Sequence, residues 1–208
     1  MLIKLIQYTF YIIMRPVFFY FLKAQVKIEK NFSIEKNKKY IIVMNHPSKL
    51  DPFLIPLMPW RVIYSLTPFT APVTEIYYTK FLRKLFLKLI NAYPIKIRAW
   101  TLEEFLGETA KRLNNQQTVI FFPEGKVTTL QAESKPRAGL NYLLQIENTE
   151  IIPIKIKGIE LITLSDFFLR RRKLNLKIGS PINPGIFKKG TESPIEVSKK
   201  IMGHLYSL

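Results

Sequence analysis

Residues 40–44, 61–66, 118–122 and 151–156 are short runs rich in Ile, Val, Leu and Phe, and they constrain this chain more than any other feature. Runs of this length between turn signals suit strands buried on both faces of a sheet. Residues 174–178 alternate Leu, Asn, Leu, Lys, Ile and predict a strand with one face in water. Between the runs lie helical stretches at about 74–91, 101–114, 136–148 and 194–206. Strands alternating with helices predict an α/β fold, a mostly parallel central sheet covered by helices. The 208 residues suit one such domain, and no internal repeat or long linker divides them.

The first 23 residues read differently from the rest. Residues 1–22 are strongly apolar, interrupted by Lys4, Gln7, Arg15 and Pro16, and no small-residue cleavage site follows them. No removable leader is therefore expected. On a helical wheel Lys4, Gln7, Tyr8, Tyr11 and Arg15 fall on one side, which predicts a helix lying in the headgroup plane and kinked at Pro16. A membrane-spanning anchor and a buried core helix are the alternatives. The division expected is residues 1–23 as an N-terminal membrane-associated helix and 24–208 as the α/β domain. The 74–93 stretch adds a second amphipathic pattern. Lys80, Arg83, Lys84 and Lys88 share one face, Tyr78, Leu82, Leu85, Phe86 and Leu89 the other, and Leu87 alone sits among the cations. Basic amphipathic helices bind membrane surfaces, and an ordinary solvated basic face is the alternative.

Charge points the same way. The chain has 32 Lys and Arg against 15 Asp and Glu, a formal net charge of +17, which draws in anionic partners. Nucleic acid, an anionic bilayer and a phosphorylated substrate all qualify. The cations are spread along the chain with no nucleic-acid-binding motif, so no nucleic-acid partner is expected. There is no cysteine, which excludes disulfides and thiolate chemistry, and with two histidines, His46 and His204, no metal site is expected. His204 lies among apolar helical residues and is assigned to structure.

His46 is the chemical candidate. Asn45, His46, Pro47 and Ser48 follow directly on the 40–44 run, and Asp51 comes four residues after Pro47. Ligand sites in α/β folds gather at the carboxyl ends of strands. A neutral imidazole takes a proton from an alcohol only if its other nitrogen is held in the right tautomer, and a nearby carboxylate does that. Phe122, Pro123, Glu124, Gly125 and Lys126 form a second strand-end loop, with Gly125 free to take a positive φ.

Together these stretches resemble the PlsC-type glycerolipid acyltransferases, the 1-acylglycerol-3-phosphate acyltransferase family. Asn45, His46 and Asp51 match its first motif, and Phe122, Pro123, Glu124 and Gly125 its third. Ile152, Pro153 and Ile154 match a later strand, and Gly179, Pro181 and Ile182 a closing turn, so the likeness covers about residues 40–185. Two departures stand out: Lys126 and Val127 replace the usual Thr-Arg, and Lys96 and Arg98 are out of register with the arginine of the middle motif.

The resemblance implies acyl transfer from a thioester to the hydroxyl of 1-acylglycerol 3-phosphate or another lysophospholipid. His46 would act as base and Asp51 would orient it, while Glu124, Gly125, Lys126, Lys96, Arg98 and Arg137 would bind substrate, the cations through phosphate. Backbone amides near 47–49 or 125–126 would hold the oxyanion. No resident cofactor is expected, since coenzyme A or acyl carrier protein delivers the acyl chain as co-substrate. The expected place is the cytoplasmic face of an anionic membrane. A different lysolipid acceptor, or an inactive membrane-binding relative of the same fold, are the rival expectations.

Overall fold

The structure, a computed structural model, describes residues 1–79, 81–96, 99–128, 136, 139–187, 190 and 192–208. The chain opens with α1 (Leu2–Phe21), β1 (Gln25–Ile28) and β2 (Lys39–Met44), followed by α2 (Trp60–Leu66) and β3 (Phe69–Thr70). Next come β4 (Pro72–Thr74), α3 (Phe81–Leu89), β5 (Tyr93–Ile95), α4 (Leu102–Asn114) and β6 (Thr118–Phe121). The last third holds α5 (Gly139–Leu143), β7 (Thr149–Lys157), α6 (Leu164–Phe168), β8 (Asn175–Ile178) and α7 (Pro194–Ser207).

Six strands form the main sheet in the order β1-β8-β7-β2-β6-β3, and β4 and β5 pair as a small parallel sheet of their own. Every neighbouring pair in the main sheet is parallel except β7 with β8. The expected α/β architecture is thus present, with its apolar runs at the centre. Side chains alternate between two cores because strand residues point to opposite faces. Ile42, Met44, Ile152, Ile154 and Ile156 pack with Phe10, Tyr11 and Phe18 of α1 and Val62, Ile63 and Leu66 of α2. Ile41, Val43, Val119 and Ile151 pack on the opposite face with Leu113 of α4, Leu140 and Leu143 of α5, and Ile201 and Leu205 of α7. Both α4 and α7 start with capping boxes, Thr101 with Glu104 and Ser193 with Glu196, which satisfy amides the helix cannot.

The 61–66 run, expected as a strand, is the helix α2. Its buried residues are Val62, Ile63 and Leu66, a helical spacing that so short an apolar run does not distinguish from a strand. The 74–91 stretch divides into a 3-10 turn at Glu75–Tyr78 and the shorter α3, and the 136–148 stretch shortens to α5.

The first helix sits the other way round from an ordinary surface helix. α1 runs unbroken through Pro16 and turns polar groups inward. The Gln7 amide pairs with Phe69 at the open edge of β3, donating to its carbonyl at 2.8 Å and accepting its N–H at 3.0 Å, and so stands in for a missing strand. Tyr11 is buried, and Arg15 donates to the carbonyls of Pro56 (2.7 Å) and Met58 (2.5 Å) with its guanidinium over the Trp60 ring. The outward side carries Leu2, Leu5, Ile12, Ile13 and Tyr20. Much of the polar stripe expected to face lipid headgroups therefore faces the protein. Among the described side chains of α3 the buried one is Leu87, the one placed among the cations, while Phe81, Leu85 and Phe86 are exposed.

Replacing Gln7 with Leu leaves the buried Phe69 N–H without its acceptor and should lower stability by about 1–3 kcal/mol, read from unfolding in detergent micelles. Ile13→Ala on the outward side should change stability by no more than about 0.5 kcal/mol. Equal, small effects of the two would contradict the docking of α1 through its polar side.

Candidate functional site

At the carboxyl end of β2 the chain turns sharply and its next residues are fixed from several directions. The Asn45 side chain donates to the carbonyl of Ile156 (2.8 Å) and accepts the N–H of the same residue (2.7 Å), tying the turn to the end of β7. The Leu161 N–H donates to the Pro47 carbonyl at 3.0 Å. The peptide groups flanking His46 are held by the loop after β6. Its N–H points to Oε2 of Glu124 at 3.4 Å, and its carbonyl accepts the N–H of Thr128 at 2.8 Å.

The imidazole is held just as closely. Nδ1 of His46 lies 2.9 Å from Oδ2 of Asp51, and the side chains are 18% and 0% exposed. A carboxylate only accepts, so in the neutral imidazole Nδ1 carries the proton and Nε2 the lone pair. The Phe122 ring stacks on the imidazole at 4.4 Å and an interplanar angle of 30°, walling off one face. Asp51 opens a 3-10 turn, Asp51–Phe53, with Pro52 inside it. Ser48 completes the carboxylate's shell: its N–H donates to Oδ2 at 2.8 Å and its hydroxyl to Oδ1 at 2.5 Å, the length of a charge-assisted bond. Burial raises the Asp51 carboxyl above its ordinary value, and the bonds from His46 and Ser48 offset only part of that rise.

Glu124 is itself buried, 3% exposed, and a second donor reaches it: the Tyr206 hydroxyl meets Oε1 at 2.5 Å. Gly125 has φ of 65°, left-handed backbone that favours glycine, and its N–H closes the turn on the Phe122 carbonyl at 3.0 Å. Lys126 follows, exposed on the loop.

Of the residues singled out from the sequence, His46, Asp51 and Glu124 are brought into one bonded cluster, with Gly125 and Lys126 on its rim. Lys96 is exposed, just beyond β5 of the small sheet. Arg98 and Arg137 lie outside the described residues. Among the amides expected to hold an oxyanion, Pro47 has none, Ser48 gives its own to Asp51 and Gly125 gives its own to Phe122. The sequence reading gave no role to Ser48, Phe122 or Tyr206. Ser48 had a signal, a hydroxyl three residues before a carboxylate, which is the spacing of local side-chain to backbone bonding. Tyr206 had none, being 82 residues from its partner.

A family model described as Acyltransferase matches residues 25–157, well over half of the chain. In three dimensions the chain is similar to the crystal structure of the 1-acyl-sn-glycerophosphate (LPA) acyltransferase, PlsC, from Thermotoga maritima. The TM-score is 0.63 at 22% identity, over 99% of this chain and 78% of that one. At that identity the likeness is one of fold.

The His46 geometry carries its own test. With only two histidines, nitrogen-15 spectra of labelled protein separate them readily. Neutral His46 should show the proton on Nδ1. Asp51→Ala, which removes the acceptor altogether, should no longer hold that proton on Nδ1. An unchanged tautomer in the variant would mean that Asp51 does not set it.

Proposed function

The chain belongs to the acyltransferase family, and we propose that it moves a fatty acyl chain from a thioester to the free hydroxyl of a lysophospholipid, 1-acylglycerol 3-phosphate in the first place, giving phosphatidic acid in phospholipid biosynthesis. The observation that carries this reading is the His46–Asp51 pair at the carboxyl ends of the sheet, with Nδ1 occupied and Nε2 left as the basic atom. In the proposed reaction Nε2 takes the proton of the acceptor hydroxyl as its oxygen attacks the thioester carbonyl. The tetrahedral intermediate then collapses, the carbon–sulfur bond breaks and the thiolate receives the proton held by His46. Asp51 keeps the tautomer and stabilises the transient imidazolium.

Ser48 is the one hydroxyl in the His46 loop, and its bonding argues against an acyl-enzyme. It is buried, and its hydroxyl is committed to Asp51. The substrate alcohol is therefore the nucleophile. The amides of Lys49 and Lys126 are the candidates for the oxyanion, since those of Ser48 and Gly125 are spent within their turns. Lys126 is the proposed grip on the acceptor's phosphate, with Lys96, Arg98 and Arg137 as further candidates. Coenzyme A or acyl carrier protein would bring the acyl chain.

The same reading accounts for the exposed apolar sides of α1 and α3. Ile12, Ile13, Phe81, Leu85 and Phe86 face outward, with Arg83, Lys84 and Lys88 beside the last three. An apolar face rimmed by cations fits an anionic bilayer, where both lipid substrate and lipid product reside. The proposed location is the cytoplasmic face of the membrane, where acyl thioesters are made. Among the described residues one helix, α1, is long and apolar enough to cross a membrane by length and composition.

Detergent-purified protein, an acyl thioester and a small panel of lysolipids, read by thiol release, test the proposal. The wild type should turn over, and His46→Ala should lose about 10²–10⁴-fold in rate. Lys126→Ala should raise the acceptor KM while leaving the donor KM alone; a charge-assisted bond is worth roughly 1.5–3 kcal/mol, about ten- to hundredfold in binding. No turnover with any acceptor, or full turnover by His46→Ala, would overturn the reading.

A further inference from the structure

α7 is 14 residues long, and its final turn reaches the site from the far end of the chain. The Tyr206 hydroxyl donates to Oε1 of Glu124 at 2.5 Å, and Oε2 of the same carboxylate faces the N–H of His46 at 3.4 Å. One carboxylate thus links the last helix to the residue that carries the imidazole.

That turn of α7 is held from the sheet side as well. The Lys155 ammonium of β7 donates to the main-chain carbonyl of Tyr206, and Lys177 of β8 to the main-chain oxygen of Leu208. Lys155 and Lys177 stand directly opposite each other in the β7–β8 ladder, and Lys27 of β1 stands opposite Lys177. Like charges in direct cross-strand register repel. The last carbonyls of α7 carry the negative end of the helix dipole and give two of these ammoniums an acceptor. Burial, with Lys157 and Lys177 nearby, pushes the Lys155 ammonium down. The lysine row and the end of α7 are therefore matched, and the match puts the Tyr206 ring beside Glu124.

We propose that Tyr206 is a positioning residue for acyl transfer: its hydroxyl fixes the Glu124 carboxylate, and through it the main chain of His46 and the point where Nε2 meets the acceptor hydroxyl. The proposal rests on the reading of His46 as the base. A glutamate side chain has several rotamers, and a donor on the outer oxygen selects the one that keeps the inner oxygen on His46. Small displacements matter here, because a shift of about 1 Å in a reacting group costs on the order of 10²-fold in rate.

Tyr206→Phe removes the hydroxyl and keeps the ring, so packing against the helix survives. In the full chain in detergent, kcat should fall about ten- to hundredfold, with both KM values little changed and the protein still folded, its unfolding temperature lowered only by the loss of one part-buried bond. Hydrogen exchange of the peptides covering residues 45–51 and 122–128 should speed up, while that of β2 and β7 stays as it was. Combining Tyr206→Phe with Glu124→Gln should lose no more rate than Glu124→Gln alone, because the hydroxyl acts through that carboxylate. Unchanged kcat and unchanged exchange would overturn the proposal. Exchange rising throughout α7 and the sheet would overturn it too, since that marks general packing rather than positioning. Should the wild type transfer no acyl group to any acceptor, the preceding reading fails, and the exchange comparison still decides whether Tyr206 holds the His46 loop.

Discussion

The peptide groups on either side of His46 are gripped by a loop that lies nearly eighty residues away in the chain, Glu124 taking the N–H and Thr128 giving its amide to the carbonyl. The place of the imidazole at the sheet edge depends on that grip. Parallel pairing brings the carboxyl ends of β2, β6 and β7 to one edge, and the strand order sets β6 and β7 on either side of β2. The loop after β6 can then clamp His46 while the end of β7 holds Asn45. Asp51 and Ser48 need no such help, since they belong to the same turn as His46 and settle its tautomer locally. The sheet fixes where the imidazole stands, and the turn fixes which nitrogen is basic.

The inverted α1 follows from a related economy. Burying Gln7 and Arg15 would cost several kcal/mol if their polar groups went unpaired. Both instead meet backbone groups that have no strand beside them: Phe69 at the edge of β3, and Pro56 and Met58 in the turns before α2. With the polar side of α1 committed inward, its apolar side is left to the surroundings, and α3 also leaves Phe81, Leu85 and Phe86 outward, here beside its exposed cations. The Phe86 ring meets Phe53, which closes the turn opened by Asp51. The apolar surface therefore continues to the edge of the candidate site. The proposed membrane location and the proposed chemistry thus share one side of the fold.

The central strands were legible because burial on both faces writes a run of apolar residues into the sequence, as in Ile151, Ile152, Ile154 and Ile156 of β7. The small sheet was not, since β4 and β5 have three residues each and Pro72 and Pro94 among them. The 61–66 run misled because a seven-residue helix shows less than two turns of its period. His46, Asp51 and Glu124 were legible from two motifs at strand ends. Their remaining partners were legible only where the spacing is short: Ser48 lies three residues from Asp51, whereas Tyr206 and Glu124, or Gln7 and Phe69, meet only through the fold. α1 shows the same limit in reverse. Its wheel gave the polar stripe correctly, but a wheel cannot say whether protein or water lies on that side.

The central claim is that His46 activates the acceptor hydroxyl directly, and intact-mass spectrometry of the protein with acyl thioester alone tests it most directly. Without a lysolipid, the account expects no acyl group on the protein and no stoichiometric release of thiol. On addition of a lysolipid, thiol release and acylated lipid should appear together, one for one. An acyl-protein that accumulates with donor alone and passes its chain to a lysolipid added later would contradict the account, and would require a nucleophile on the protein that the bonding of Ser48 to Asp51 argues against.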